Sequence, residues 1–198
     1  MSEDHRQFAP SVARNRDALR DAIGPHLPQT GTFLEIASGS GEHVVHFSAR
    51  HPGLTFQPSD PDASARKSID AWSAGHHNIR PALTIDATGL WPITEADVVF
   101  NANMIHISPW TATEGLVRGA AMVLPTDGKL ITYGPYKIGG QHISDGNTSF
   151  DQSLREQNPA WGIRALEDID ALAQGHGFAP AEVIDMPANN KTLIFVRL

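Results

Sequence analysis

Phe33-Leu34-Glu35-Ile36-Ala37-Ser38-Gly39-Ser40-Gly41-Glu42-His43 is the stretch whose reading decides the fold. An apolar run ends in an acid, two glycines follow, and Val44-Val45-His46-Phe47-Ser48-Ala49-Arg50 continues as a helix. Strand, glycine turn and helix in that order open a nucleotide-binding α/β unit. A residue without Cβ lets the backbone pass close to a ligand, and the helix turns its free N–H groups into the crevice. The dinucleotide fingerprint G-x-G-x-x-G fails here at its third glycine, where Val44 stands. No Gly-Lys-Ser/Thr follows Gly41, which excludes a Walker A loop, and Ser38 and Glu42 exclude the G-x-S-x-G elbow around Ser40.

The pattern that fits is acid-x-small-x-Gly-x-Gly, with Glu35, Ala37, Gly39 and Gly41 in its four places. It resembles the first motif of the class I S-adenosylmethionine-dependent methyltransferases, and the resemblance assigns Glu35, Ala37, Ser38, Gly39 and Gly41 to the cofactor. The plainer alternative is a glycine turn in another α/β protein.

Composition sets the frame. A chain of 198 residues is one domain by length, and 40% hydrophobic content with a mean hydropathy of -0.25 is ordinary for a globular protein. The absence of Cys excludes disulfides and thiolate metal sites. Met1-Ser2-Glu3-Asp4-His5-Arg6 is polar, and no run is long enough to span a bilayer, so a cytoplasmic protein is expected. A net charge of -7 and a pI near 5.7 argue against a partner whose phosphates must be neutralised in number, such as a nucleic acid. Oligomeric state has no signature in the sequence.

Working outward, Val12, Leu19, Ile23 and Leu27 recur at helical spacing behind Pro10-Ser11, forming an N-terminal cover over residues 1–31. Arg14, Asn15 and Arg16 on it are either a solvated face or groups that reach the ligand carboxylate or the substrate. Leu54 to Asp60 reads as the second strand. Asp60, about twenty residues past the glycine loop, stands where a carboxylate accepts bonds from both ribose hydroxyls, unless it and Asp62 simply cap the helix Ala63–Ala74. Pro61 stops the ladder and lets the next backbone lie against the adenine. Ala82-Leu83-Thr84-Ile85-Asp86 is expected as the third strand, with Asp86 and the Ala87 N–H at the adenine amino group by resemblance to related methyltransferases.

Asp97 to Asn103 is the fourth strand, and its end places Asn101, Asn103 and His106 in the crevice. A lone His is as readily structural as catalytic. A helix over Ala112–Val123 and a fifth strand over Lys129–Tyr136 follow. The Gly-, Asp- and Asn-rich residues 137–147 read as a lid loop, Ser149–Gln157 and Ala165–Gln174 as helices, and 181–186 with 192–196 as an antiparallel hairpin. The expected architecture is a single-domain, doubly wound α/β fold. Its seven-stranded sheet is mostly parallel with an antiparallel C-terminal strand, and helices cover both faces.

More closely, the chain is similar to a small methyltransferase-like family of bacterial and eukaryotic proteins that includes methyltransferase-like protein 26. The resemblance rests on Arg14-Asn15-Arg16, Leu34 to His43, Gln57-Pro58-Ser59-Asp60, Asn101-Ala102-Asn103-Met104-Ile105-His106-Ile107 and Gly134-Pro135-Tyr136. It implies fold and S-adenosylmethionine, with Asn101 among the cofactor contacts, and supplies no acceptor. Asn101-Ala102-Asn103 lacks the carboxylates of the catechol-type Mg²⁺ site, and the Asn/Asp-Pro-Pro-aromatic motif of amino-methylating nucleic-acid enzymes is absent. Without an H-E-x-x-H no metal role is assigned, and His43, His46, His76 and His77 read as surface or cap histidines. His106, Asn103, Tyr133 and Tyr136 are the candidate catalytic group, acting on a small-molecule acceptor. The competing functions are a non-catalytic binder of S-adenosylmethionine or S-adenosylhomocysteine and, more weakly, a nicotinamide oxidoreductase.

Overall fold

The structure is a computed structural model that describes residues 4–198; residues 1–3 of the N-terminal cover lie outside it. Helix α1 (Pro10–Ile23) precedes strand β1 (Gly31–Glu35), followed by α2 (Glu42–Ser48), β2 (Leu54–Pro58) and α3 (Ala63–Ser73). Then come β3 (Val98–Ala102), α4 (Trp110–Val123), β4 (Lys129–Gly134), α5 (Asp145–Gln157), α6 (Leu166–Gly175), β5 (Glu182–Met186) and β6 (Asn190–Val196). The sheet has the order β2-β1-β3-β4-β6-β5; its first four strands are parallel, and β6 runs antiparallel to both its neighbours.

Period-two alternation divides the core. Phe33, Val98, Ile131 and Ile194 face α1, α2 and α3, while their chain neighbours Leu34, Val99, Leu130 and Leu193 face α4 and α6. Phe33 is the centre of the first layer, with ring centroids 5.0 Å from Phe56 and 5.5 Å from Phe100. Each buried Phe of this kind contributes about 1.5–3 kcal/mol by leaving water.

Two expectations are corrected. Among the described residues the sheet has six strands, not seven: the segment 79–86 that contains Ala82–Asp86 meets β2 and its exit only through isolated bridges, Phe56 to Ile79 and Ser59 to Leu83. Pro58 has no N–H to donate there. Arg80 N–H bonds Phe56 O, but the next donor to β2 is Leu83 N–H to Pro58 O, three residues along one side against two on the other. Ala82 N–H turns away to Asp70 Oδ1, and the Gln57 amide occupies Pro81 O, so the ladder breaks. The expected loop 137–147 is also shorter, because α5 begins at Asp145 rather than Ser149. Ser144 caps it, its side chain accepting from Asn147 N–H. What remains, residues 137–144, is fastened to α5: Lys137 Nζ and His142 Nε2 lie 3.2 and 3.1 Å from the buried Asp151 carboxylate.

Candidate active site

The glycine loop leaves β1 through a left-handed Ala37 (φ 56°), and Gly39 and Gly41 follow with φ of 58° and 91°. The two glycines do different work. A Cβ on Gly39 would meet nothing within 4 Å, which leaves open room above the loop for a ligand. A Cβ on Gly41 would come to 2.7 Å of Ile69 Cα, so this glycine serves the close packing of α3. Asp60 closes the loop from β2: its Oδ2 accepts from Gly39 N–H at 3.0 Å and its Oδ1 from Asp62 N–H at 2.9 Å. Each carboxylate oxygen keeps one lone pair for a ligand hydroxyl. Burial pushes the Asp60 pKa up. The capping role falls to Asp62, which accepts from Ser64 and Ala65 N–H at the start of α3.

Glu35 ends β1 fully buried, and its Oε2 has no hydrogen-bond partner. Desolvation, with the Asp60 charge nearby, raises its pKa to about 8 against a bond from Ser38 that lowers it. Near neutral pH this acid is largely protonated, and a cationic group beside it would favour its charged form. Ser38 also holds the two strand ends together, its Oγ bonding Glu35 O and accepting from Ser59 N–H. Glu42 ties the N-terminal segment to the loop, its Oε2 accepting from Ala9 N–H at 2.7 Å and Ser40 Oγ at 2.9 Å. Pro61 is exposed beside Asp60. Asp86 is exposed too, its Oδ1 engaged by the Thr88 N–H and hydroxyl, while Ala87 is buried with its carbonyl against Gly115.

Asn101 joins this half to the next. It is fully buried on β3, its amide donates to Ile36 O at 2.8 Å, and its Oδ1 has no partner. Two residues on, Asn103 sits at φ 68° and opens a cleft of about 680 Å³. Asn103, His106 and Tyr133 line that cleft together, with Asn15 of α1, Asn147 and Phe150 of α5, and the turn Pro187–Asn190 between β5 and β6. His106 is 2% exposed; burial, reinforced by the Arg164 charge, lowers its pKa to about 3, so the imidazole is neutral. Gly134 makes room for it, since a Cβ there would stand 3.0 Å from the His106 ring. Burial raises the Tyr133 pKa, and the Asn15 amide beside it opposes the rise.

Tyr136 does not join this group. It packs in the layer under α4 and α6, and its hydroxyl donates to Thr132 Oγ1 at 2.9 Å. His43 is corrected as well: it is a buried residue of α2, not a surface one, stacked on Phe47 and 2.8 Å from Asn15 Oδ1 through Nε2. Desolvation takes its pKa down to about 4. His46 is partly buried, 3.1 Å from Asp17. The Arg14-Asn15-Arg16 segment divides, with Arg14 and Asn15 on the cleft and Arg16 holding a buried, unpartnered Nε. Sequence reasoning missed Phe150, Asn189 and Arg164 and had Asn147 only as the end of the expected lid loop; the Asn-Asn pair in the hairpin turn was the signal for Asn189. Among the described residues no cluster of three His, Asp or Glu side chains is placed to hold a metal, and no helix is long and apolar enough to cross a membrane.

Open space over Gly39, free lone pairs on Asp60 and the orphaned Glu35 Oε2 suit a ligand with hydroxyls and an ammonium. The fold is shared with solved methyltransferases. CalO1, a methyltransferase in calicheamicin biosynthesis in its SAH-bound form, superposes with a TM-score of 0.77 at 19% identity, over 95% of this chain and 54% of that one. An O-methyltransferase family protein from Burkholderia thailandensis gives 0.76 at 18% identity, over 93% and 60%. Human N-acetylserotonin methyltransferase in complex with SAM gives 0.74 at 12%, over 98% and 63%. The chain thus spans little more than half the length of these structures. A family model described as "Protein of unknown function (DUF938)" matches residues 6–197, and the chain belongs to that family.

Proposed function

We propose that this protein transfers the methyl group of S-adenosylmethionine to a small molecule held in the cleft beside His106. The observation that carries the reading is the pairing of two half-sites through Asn101: an open glycine loop latched to Asp60, and a cleft lined by Asn103, His106 and Tyr133. The methyltransferase names of its structural neighbours and the resemblance to the methyltransferase-like protein 26 family support it.

Asp60 would hold the ribose, the Gly39 region the cofactor backbone, Glu35 the ammonium, and Asp86 with Ala87 the adenine edge. When bound, S-adenosylmethionine supplies an electrophilic methyl on a sulfonium. The protein's own task is to place a nucleophile and exclude water. His106 orients the acceptor as a neutral hydrogen-bonding group; with a pKa near 3 it is a weak base, so the acceptor must already be nucleophilic. Asn103 and Tyr133 complete that positioning. The same weak basicity favours, as second reading, a binder that holds the cofactor without turnover. A metabolite extract with labelled methyl donor separates the two: label passing to a small molecule, and lost in His106→Ala while S-adenosylhomocysteine still binds, upholds transfer. No label transfer under any extract tried, with tight cofactor binding, leaves the binder.

A further inference from the structure

The cleft is electrostatically unlike the rest of the chain. The protein carries 22 acidic against 15 basic residues, yet among the described residues not one lining the cleft is Asp or Glu. Arg14 is the one guanidinium in the lining; it is exposed and has no ion-pair partner among the described residues. Arg6 and Arg20 nearby in sequence are each paired to a carboxylate. Across the cleft, Gly146 and Asn147 of the first turn of α5 present no charged side chain; Asp145 of that turn is outside the lining and offsets the positive end of the helix. His106 is neutral and reaches in from a buried position, while Ile107, Phe150 and Pro135 give an apolar wall.

A rigid, planar guanidinium in a basin free of acids selects an oxyanion over a neutral group or a cation. We propose that the acceptor is a small oxyanion-bearing molecule with an apolar body, a carboxylate or a phosphate monoester. Its anion is held by Arg14 and its nucleophile is turned toward His106. This rests on the methyl-transfer reading above. The volume suits it: about 680 Å³ accommodates a metabolite-sized ligand and not a folded macromolecule. Ala188 and Asn189, consecutive left-handed residues with φ of 58°, form the far wall, and Asn147 Nδ2 holds the Asn189 carbonyl at 3.2 Å. Backbone strain of this kind is retained where a pocket's shape matters.

The test uses four probes of one size: benzoate, phenyl phosphate, benzyl alcohol and benzylammonium. Each is titrated by NMR into protein saturated with S-adenosylhomocysteine, following the His106 ring signals. We expect one or both anions to bind at least tenfold more tightly than the alcohol and the ammonium. Whether benzoate or phenyl phosphate leads identifies the acceptor's anion. Arg14→Gln should abolish that preference and leave S-adenosylhomocysteine affinity within twofold. Equal binding of all four probes, binding of none, or a preference that survives in Arg14→Gln overturns the proposal. So does a tenfold loss of S-adenosylhomocysteine affinity in Arg14→Gln, which would give Arg14 to the cofactor carboxylate. If the wild type does not bind S-adenosylhomocysteine at all, the methyl-transfer reading falls and this inference with it; binding without anion preference removes the inference alone.

Discussion

The two halves of the crevice at the C-terminal ends of the strands are built in opposite ways. The half over β1 and β2 is made by backbone in one continuous unit: a glycine loop, one latch from Asp60 and one buried acid, Glu35. The half over β3 and β4 is made by side chains from five separated segments, α1, the Asn103–Ile107 turn, β4, α5 and the β5–β6 turn. A backbone-built half recognises a ligand of fixed shape. A side-chain-built half can be re-lined residue by residue without disturbing the strands. That division is what the proposed methyl transfer, with one cofactor and a private acceptor, would require, and it can be broken at several points.

The largest effect is expected at the glycines. Gly41→Ala combines a left-handed non-glycine residue with a contact on Ile69 backbone, and should cost roughly 2–5 kcal/mol, lowering the melting temperature by about 5–15 °C. Gly39→Ala carries only the conformational cost of roughly 1–2 kcal/mol. It should remain folded while losing cofactor affinity. Thermal melts beside ligand titrations check the pair, and a Gly39 variant that binds normally would detach the loop from the site.

Asp60→Ala should weaken S-adenosylhomocysteine binding by about 2 kcal/mol or more, because a charged partner of two hydroxyls is lost. The same substitution should leave benzoate binding in the cleft unchanged, measured in the ligand-free protein. A fall in both would mean that the halves are not separable.

Glu35 sets a pH dependence. Its folded pKa of about 8 lies above the ordinary 4.5, so the native state binds more protons than the unfolded one between those values. Stability therefore falls as pH rises through that window, by up to about 1.4 kcal/mol per pH unit, and Glu35→Gln should flatten the slope. A ligand ammonium beside Glu35 favours its ionised form. S-Adenosylhomocysteine binding at pH 7 should then release a proton, seen as a buffer-dependent heat in calorimetry. Heat independent of the buffer would place the ammonium elsewhere.

The smallest effect separates the two tyrosines. Tyr136→Phe removes a buried hydroxyl and strands Thr132 Oγ1, at a cost of about 1 kcal/mol, with label transfer unchanged. Tyr133→Phe should leave stability nearly intact and slow transfer. The reverse pattern in denaturant melts and transfer assays would move the cleft to the other face of the sheet.

The unequal legibility of the halves has the same origin. Glu35, Gly39 and Gly41 could be read because strand, turn and helix are consecutive, and Asp60 because its distance from the loop is fixed by one helix and one strand. Ala82–Asp86 reads as a strand because its apolar content is visible, whereas the break at Pro81–Ala82 depends on where Asp70 and Gln57 direct their side chains. Ser144-Asp145-Gly146-Asn147 has loop composition, yet Ser144 is a cap and the helix starts there. His43 is buried because Asn15, 28 residues earlier, supplies its partner. Asn147 and Asn189 meet only through the strand order β4-β6-β5, which no local pattern encodes. Tyr133 and Tyr136 were separable from sequence alone: an odd spacing along an extended segment sends two side chains to opposite faces.

The central claim, that the backbone-built half holds S-adenosylmethionine and the side-chain-built half its acceptor, is tested most directly by calorimetry of S-adenosylhomocysteine against wild type, Asp60→Asn and His106→Ala. Wild type and His106→Ala should bind within twofold of each other, and Asp60→Asn at least tenfold more weakly. Absence of wild-type binding together with tight binding of NADH, or an affinity that depends on His106 and not on Asp60, would contradict it.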